Sequence, residues 1–181
     1  MPRVNLLDPG TAPSGSSPLL QEIKTAFGTV PNMFRAVANS PAALKSMWGA
    51  FGALGSGTLG AKLGEKIAVA VADRDACNYC LAAHTALGKK AGATGDEMAE
   101  AQAGRSADPK TAAALAFALK LVEERGQVSD ADVKALRAAG FDDGQIVEII
   151  AHVALNLFTN YVNLALDVPV DFPSVKLRRT A

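Results

Sequence analysis

Two thiols and an imidazole fall within about two helical turns in Cys77-Asn78-Tyr79-Cys80 followed by His84. These are the only 2 cysteines of the chain and one of its 2 histidines. A Cys-x-x-Cys pair can close to a disulfide and reopen, with thiolate as the attacking species. A free thiol of pKa ~8.5 is mostly protonated at neutral pH, so a neighbour must lower it. Two features can do so: the free amides of a helix beginning near Cys77, and His84, which lies four residues beyond Cys80 on the same helix face. Cys80 is therefore the expected nucleophile. Cys77, one turn earlier, is placed to attack a sulfenic acid on Cys80, expel water and leave the Cys77–Cys80 disulfide. A histidine base works best when a carboxylate fixes its tautomer. Glu65, flanked by Lys62 and Lys66 on the preceding apolar segment, is the candidate.

Other chemistries fit less well. A structural zinc ion wants four ligands, usually a second Cys or His pair, and only His152 remains to join the three. No metal or other cofactor is expected. A second polar line, Glu148, His152, Asn156 and Asn160, recurs every four residues and reads as a hydrated helix face, with His152 a hydrogen-bonded packing residue. Asn163 and Asp167 continue that register without an evident role. Tyr79, inside the motif, has three open readings: exposed aromatic, packing, or hydrogen-bond donor. Phe34, Trp48, Phe51 and Phe158 read as core rather than as the walls of an organic pocket.

The elements that must hold these groups are helices. Ser40-Pro41 is a cap and first-turn proline before Leu44, Met47, Trp48, Phe51 and Leu54, a helix ending near Gly55. Leu63, Ile67, Val69, Ala70 and Val71 form the buried stripe of a second helix, running to about Asp73. A third, from about Ala76 to Ala91, carries both cysteines in its first turns. Thr94 with Glu97, Asp108-Pro109 and Ser129 start three more. The last helix spans about 143–166; its length favours helix over the strand that Ile146 to Val153 would also permit. The breaker-rich residues 1–18 are expected to be an extended arm over the body or a neighbour, 19–167 a single all-α domain, and 168–181 a solvated, extended tail.

With 18 basic and 18 acidic residues, no net field draws the chain to nucleic acid or an anionic membrane. No apolar run reaches the roughly 18 residues of a membrane span, and Met1-Pro2-Arg3-Val4-Asn5 lacks the long apolar core expected of a signal peptide. A cytoplasmic location is expected, where a close Cys pair is reactive or metal-binding more often than structural.

The spacing Glu65, eleven residues, Cys77-Asn78-Tyr79-Cys80, three residues, His84 resembles the signature of the AhpD-like alkyl hydroperoxidases of the carboxymuconolactone decarboxylase superfamily. Gly28-Thr29-Val30-Pro31-Asn32-Met33-Phe34-Arg35 and the Ser40-Pro41 start resemble its peroxidase-related branch, and the likeness extends from about residue 27 to 166. The resemblance implies an all-α, AhpD-like fold that forms a helix-mediated homo-oligomer, a trimer or hexamer. It also implies Cys80 as peroxide-attacking thiol, Cys77 as resolving thiol, and His84 with Glu65 as proton relay. The best-studied relatives have histidine where this chain has Tyr79, so that residue's proton transfer does not carry over.

The leading expectation is a thiol-dependent peroxidase taking organic hydroperoxide or hydrogen peroxide, re-reduced by a thiol or dihydrolipoyl protein. A redox-sensing or disulfide-relay module and a decarboxylase-like lyase using Glu65 and His84 are the alternatives.

Overall fold

The computed structural model describes residues 1–178 as helices joined by short turns, with no strand among them. The helices are α1 Ser17–Phe27, α2 Asn32–Val37, α3 Pro41–Gly55, α4 Ala61–Arg74 and α5 Asn78–Lys90. They continue as α6 Gly95–Gln102, α7 Pro109–Glu123, α8 Asp130–Ala138 and α9 Asp143–Ala165. Most starts follow from local chemistry. Ser40 Oγ accepts from the Ala43 N–H ahead of Pro41, and Asp108 accepts from Thr111 ahead of Pro109. Reciprocal capping boxes open α6 (Thr94/Glu97), α8 (Ser129/Asp132) and α9 (Asp142/Gln145). Each such cap satisfies backbone donors the helix cannot and stabilises it by ~1 kcal/mol.

At the centre lies α4. Ile67-Ala68-Val69-Ala70-Val71-Ala72 is buried along its whole length, so this helix has no solvent face at its middle and packs against α5, α6, α7 and α9. The alternating alanines let those neighbours approach closely. Because α5 and α9 both lie on α4, the Cys motif, Glu65 and the polar line of α9 are brought to one region.

Two helices escape the sequence reading. α1 begins at Ser17, inside the stretch expected to be extended, with Pro18 in its first turn. α2 is only six residues long, and its first amide, Asn32 N–H, is capped by Asp171 Oδ2 at 2.8 Å from the far end of the chain. Residues 1–16 run as an arm along the body: Arg3 N–H and Nη1 donate to the Leu166 and Ala165 carbonyls, closing the last turn of α9, and Leu7 N–H donates to Arg35 O. The described tail beyond Leu166 has no helix; most of its residues are exposed, and hydrogen bonds pin it to the body. Val168 is buried, Asn32 Nδ2 donates to Pro169 O, Gln102 donates to Lys176 O, and Arg178 N–H donates to Asp73. Arg179 to Ala181, the end of the expected tail, lie outside the described residues. No helix of the described residues is long and apolar enough to cross a membrane.

Candidate active site

The turn from α4 to α5 decides how the two sulfurs are held. Ala76 takes the left-handed conformation (φ 55°), which a residue with a Cβ adopts at a cost of about 1–2 kcal/mol. The amide of Cys77 reaches back to Ala72 O at 2.9 Å, reversing the chain. Cys77 thereby becomes the N-cap of α5, and its sulfur accepts from Cys80 N–H at 3.4 Å. Cys80 sits one turn inside the helix. Both are free thiols and both are enclosed, at 1% and 2% exposure.

This arrangement polarises the pair in one direction. The Cys80 side chain and amide donate to the Cys77 sulfur, and the charge of His84 acts on it too, so the Cys77 thiol is held below its ordinary value. Burial pushes the Cys80 thiol well up, and the neighbouring Cys77 adds to the rise, while Asn163 and Thr159 pull the other way. Of the two thiols, Cys77 is thus the one whose anion the surroundings favour, with the Cys80 side chain and amide as its donors. That is the reverse of the sequence expectation, in which the helix start and His84 lower Cys80. The physical reason is positional: the residue that caps the helix receives the free amide, and that residue is Cys77.

Glu65 folds back toward His84. Its Oε2 lies 2.7 Å from His84 Nδ1, joining α4 to α5 across a largely buried contact. With Nδ1–H donating to the carboxylate, Nε2 is the nitrogen left to take or give a proton. Among the described residues no hydrogen bond links His84 to either sulfur. Instead Cys80, Glu65 and His84 line one cavity of about 220 Å³, whose apolar wall includes Phe27, Phe34, Phe51, Leu87 and Phe172. Cys77 is not on that wall. Phe34 and Phe51 thus serve the cavity as well as the core, while Trp48 packs edge-on behind Phe34 and Phe158 is partly exposed.

Tyr79 lines the same cavity, with its hydroxyl accepting from Met33 N–H at 3.1 Å and its ring edge-on to Phe172. Burial drives its phenol far above the ordinary range, so it keeps its proton and works as a strut between α2, α5 and the tail.

The polar line on α9 is not a hydrated face. Glu148 accepts from the amides of Thr58 and Leu59 and from the Thr58 hydroxyl, tying down the α3–α4 turn. Asn156 donates to His152 O, and Asn160 donates to Asp75 Oδ2 at 2.8 Å. One turn further, Asn163 Nδ2 lies 3.1 Å from Cys80 Sγ, and Thr159 Oγ1 lies 4.0 Å from it. These two sulfur contacts are the site residues that sequence reasoning missed; the signal was the extension of the polar register through Asn163. No group of three or more His, Cys, Asp and Glu among the described residues is arranged to hold a metal ion.

His152 lines a second cavity that shares Glu65 and His84 with the first, its ring against Gly64, where an added Cβ would lie 2.9 Å from Cε1. Burial holds its imidazole below the ordinary value; Glu148 on its own helix and Glu65 on α4 oppose this, and His84 on α5 adds to it. The sign for stability follows. Above the ordinary value of ~6.5 both folded and unfolded states are neutral; as pH falls through it the unfolded chain takes the proton first, and stability is lost. The wild-type urea midpoint is expected to drop between about pH 7.5 and about pH 5.5 more steeply than that of His152→Gln; parallel profiles would refute the assignment.

Residues 41–124 match the carboxymuconolactone decarboxylase family. A solved structure described as an alkylhydroperoxidase AhpD core, an uncharacterized peroxidase-related protein from Ralstonia eutropha JMP134, superposes with a TM-score of 0.83 at 25% identity, covering 94% of this chain and 92% of that one. An uncharacterized peroxidase-related protein from Silicibacter sp. TM1040 gives 0.81 at 25% identity, with 93% and 91% covered. A debrominase, Bmp8, solved with 2,3,4-tribromopyrrole, shares the fold at a TM-score of 0.79 and 20% identity, with 93% and 91% covered. No curated protein matches the chain. The chain thus has an AhpD-like helical fold, within which residues 41–124 are similar to the carboxymuconolactone decarboxylase family domain.

Proposed function

We propose that the protein is a thiol-dependent peroxidase in which Cys80 attacks, Cys77 resolves, and Glu65 with His84 moves the protons. The observation that carries this reading is the shared cavity: Cys80 and the 2.7 Å Glu65–His84 pair face the same apolar space while Cys77 stands behind. The two peroxidase-related relatives at 25% identity support it. The proton shared by the sulfurs passes from Cys80 to Cys77. Cys80 thiolate then attacks the terminal peroxide oxygen, the O–O bond breaks, Cys80 becomes sulfenic acid, and the departing alkoxide takes a proton from the Cys77 thiol by way of His84. Cys77 thiolate displaces hydroxide from Cys80, forming the disulfide, and a proton from solvent through His84 completes a water molecule. One hydroperoxide is reduced to one alcohol and one water as two thiols are oxidised.

Burial separates this from a disulfide relay with a folded partner, whose sulfur would have to reach thiols that are 1% and 2% exposed. A slim thiol or dihydrolipoyl arm entering the cavity is the fitting reductant in a reducing cytoplasm, with the working form a homo-oligomer.

Mixing prereduced protein with cumene hydroperoxide in a stopped-flow instrument tests the reading. Loss of two thiols per hydroperoxide consumed is expected. Thiols that survive a large excess of hydroperoxide (~100 equivalents, well past saturation of a typical site) would refute it.

A further inference from the structure

The helix amide points at the Cys77 sulfur, yet the sulfur facing the cavity is Cys80, so a separate group must favour the anion at Cys80 when it is needed. The candidate is on α9. Asn163 is 4% exposed; its Nδ2 is 3.1 Å from Cys80 Sγ, and its Oδ1 is buried with no hydrogen-bond partner. A buried carbonyl left unpaired is costly, and a neutral thiol is a weak acceptor, so in the resting pair this amide is poorly compensated. The contact strengthens only when the sulfur carries charge, since a donor to an ion is roughly twice as strong as one to a neutral group. Thr159 Oγ1, at 4.0 Å from the same sulfur, gives its hydrogen to Asn156 O at 3.0 Å, which leaves Asn163 as the nearer donor. No equivalent α9 donor reaches Cys77 among the described hydrogen bonds.

We propose that Asn163 is a catalytic residue that selects the attacking thiol: its fixed Nδ2–H receives the anionic sulfur of Cys80, so that the proton leaves Cys80 for Cys77. In that step the Cys80 S–H bond breaks and a Cys77 S–H bond forms, with no other group consumed. The amide needs no reorientation as charge develops, which is how a preorganised dipole in a dry site acts most strongly. The later fate of the thiolate rests on the peroxidase reading; its formation does not.

The test uses the full chain and no peroxide. Reduced wild type, Asn163→Leu and Asn163→Asp are treated with limiting iodoacetamide near neutral pH, and label on the Cys77 and Cys80 peptides is quantified by mass spectrometry. Label is expected mainly on Cys80 in the wild type. Its rate at Cys80 should fall about tenfold or more in Asn163→Leu, where the donor is absent at similar volume, and further in Asn163→Asp, where a carboxylate opposes the anion. The rate at Cys77 should stay within about twofold in both. A merely structural role would slow or hasten both sites together, and thermal unfolding reports on that directly. Should the leucine variant not fold, Asn163→Ser shortens the side chain beyond reach of the sulfur and takes its place. An unchanged Cys80:Cys77 ratio in a folded variant, or wild-type label mainly on Cys77, overturns the assignment. If the wild type ignores hydroperoxides while the variants still lose Cys80 labelling, Asn163 keeps its role and the peroxidase reading falls.

Discussion

Cys80→Ser is expected to lower hydroperoxide reduction by at least about a thousandfold, because a serine hydroxyl in the same place offers no anion near neutral pH and removing a nucleophile costs at least this much elsewhere. The substitution leaves the fold untouched in outline: the side chain is nearly isosteric, and the cap of α5 is made by Cys77 and not by Cys80. Cys77→Ser should behave differently. The cavity-facing sulfur remains, with Asn163 beside it, and a serine at the N-cap still accepts from the amide one turn on. One turnover should still proceed, slowed because serine does not take the Cys80 proton as Cys77 does, after which the enzyme stops as a sulfenic acid that has no partner thiol. Burst kinetics with each single variant read this directly: full loss for one, one equivalent and then arrest for the other.

The second large effect concerns the proton relay. Glu65→Gln keeps the shape of the side chain but replaces a pure acceptor with an amide that can also donate, so the His84 ring is no longer bound to present Nε2 as its free base. Once the carboxylate that accepts from Nδ1 at 2.7 Å is gone, the wrong tautomer is populated and kcat/KM is expected to fall by about a hundredfold. His84→Ala should lower it by about a hundredfold to ten-thousandfold, the range for removing a general acid–base. Combining the two should cost little more than His84→Ala alone, since Glu65 acts through His84. Additive losses in the double variant would show that Glu65 acts independently of His84.

Much of this site is legible in the sequence. Cys77, Cys80 and His84 are tied by the helical period, and Glu65 is indicated because a histidine base needs a carboxylate; the fold brings the two side chains together although they are 19 residues apart. What the sequence leaves open is which sulfur receives the helix amide. That depends on whether α5 starts one residue earlier or later, a difference finer than any pattern argument resolves, and it reverses the direction in which the two thiols are polarised. Asn163 is visible as one more polar residue in register. Its approach to a sulfur 83 positions away depends on how α9 rolls against α4 and α5, which periodicity does not encode.

The helices missed are missed for related reasons. α2 is too short to show a period, and its cap comes from Asp171, 139 residues away. α1 starts among prolines and glycines whose density argues for irregular chain, although Pro18 is favourable in a first turn. The tail has the composition of a solvated end, yet Phe172 supplies part of the cavity wall and stacks edge-on against Tyr79. By contrast, the capped helices α3, α6, α7 and α8 are legible from their starts, because capping is local chemistry that neighbours do not override.

The division of labour between the two sulfurs is the central claim, and one measurement reads it most directly. Each single cysteine variant, prereduced, is given one equivalent of cumene hydroperoxide in the presence of dimedone, and the adduct is located by peptide mass spectrometry. A stoichiometric adduct on Cys80 in Cys77→Ser, with none on Cys77 in Cys80→Ser, is the expected result; an adduct on Cys77 in Cys80→Ser, or none in either variant, would contradict it.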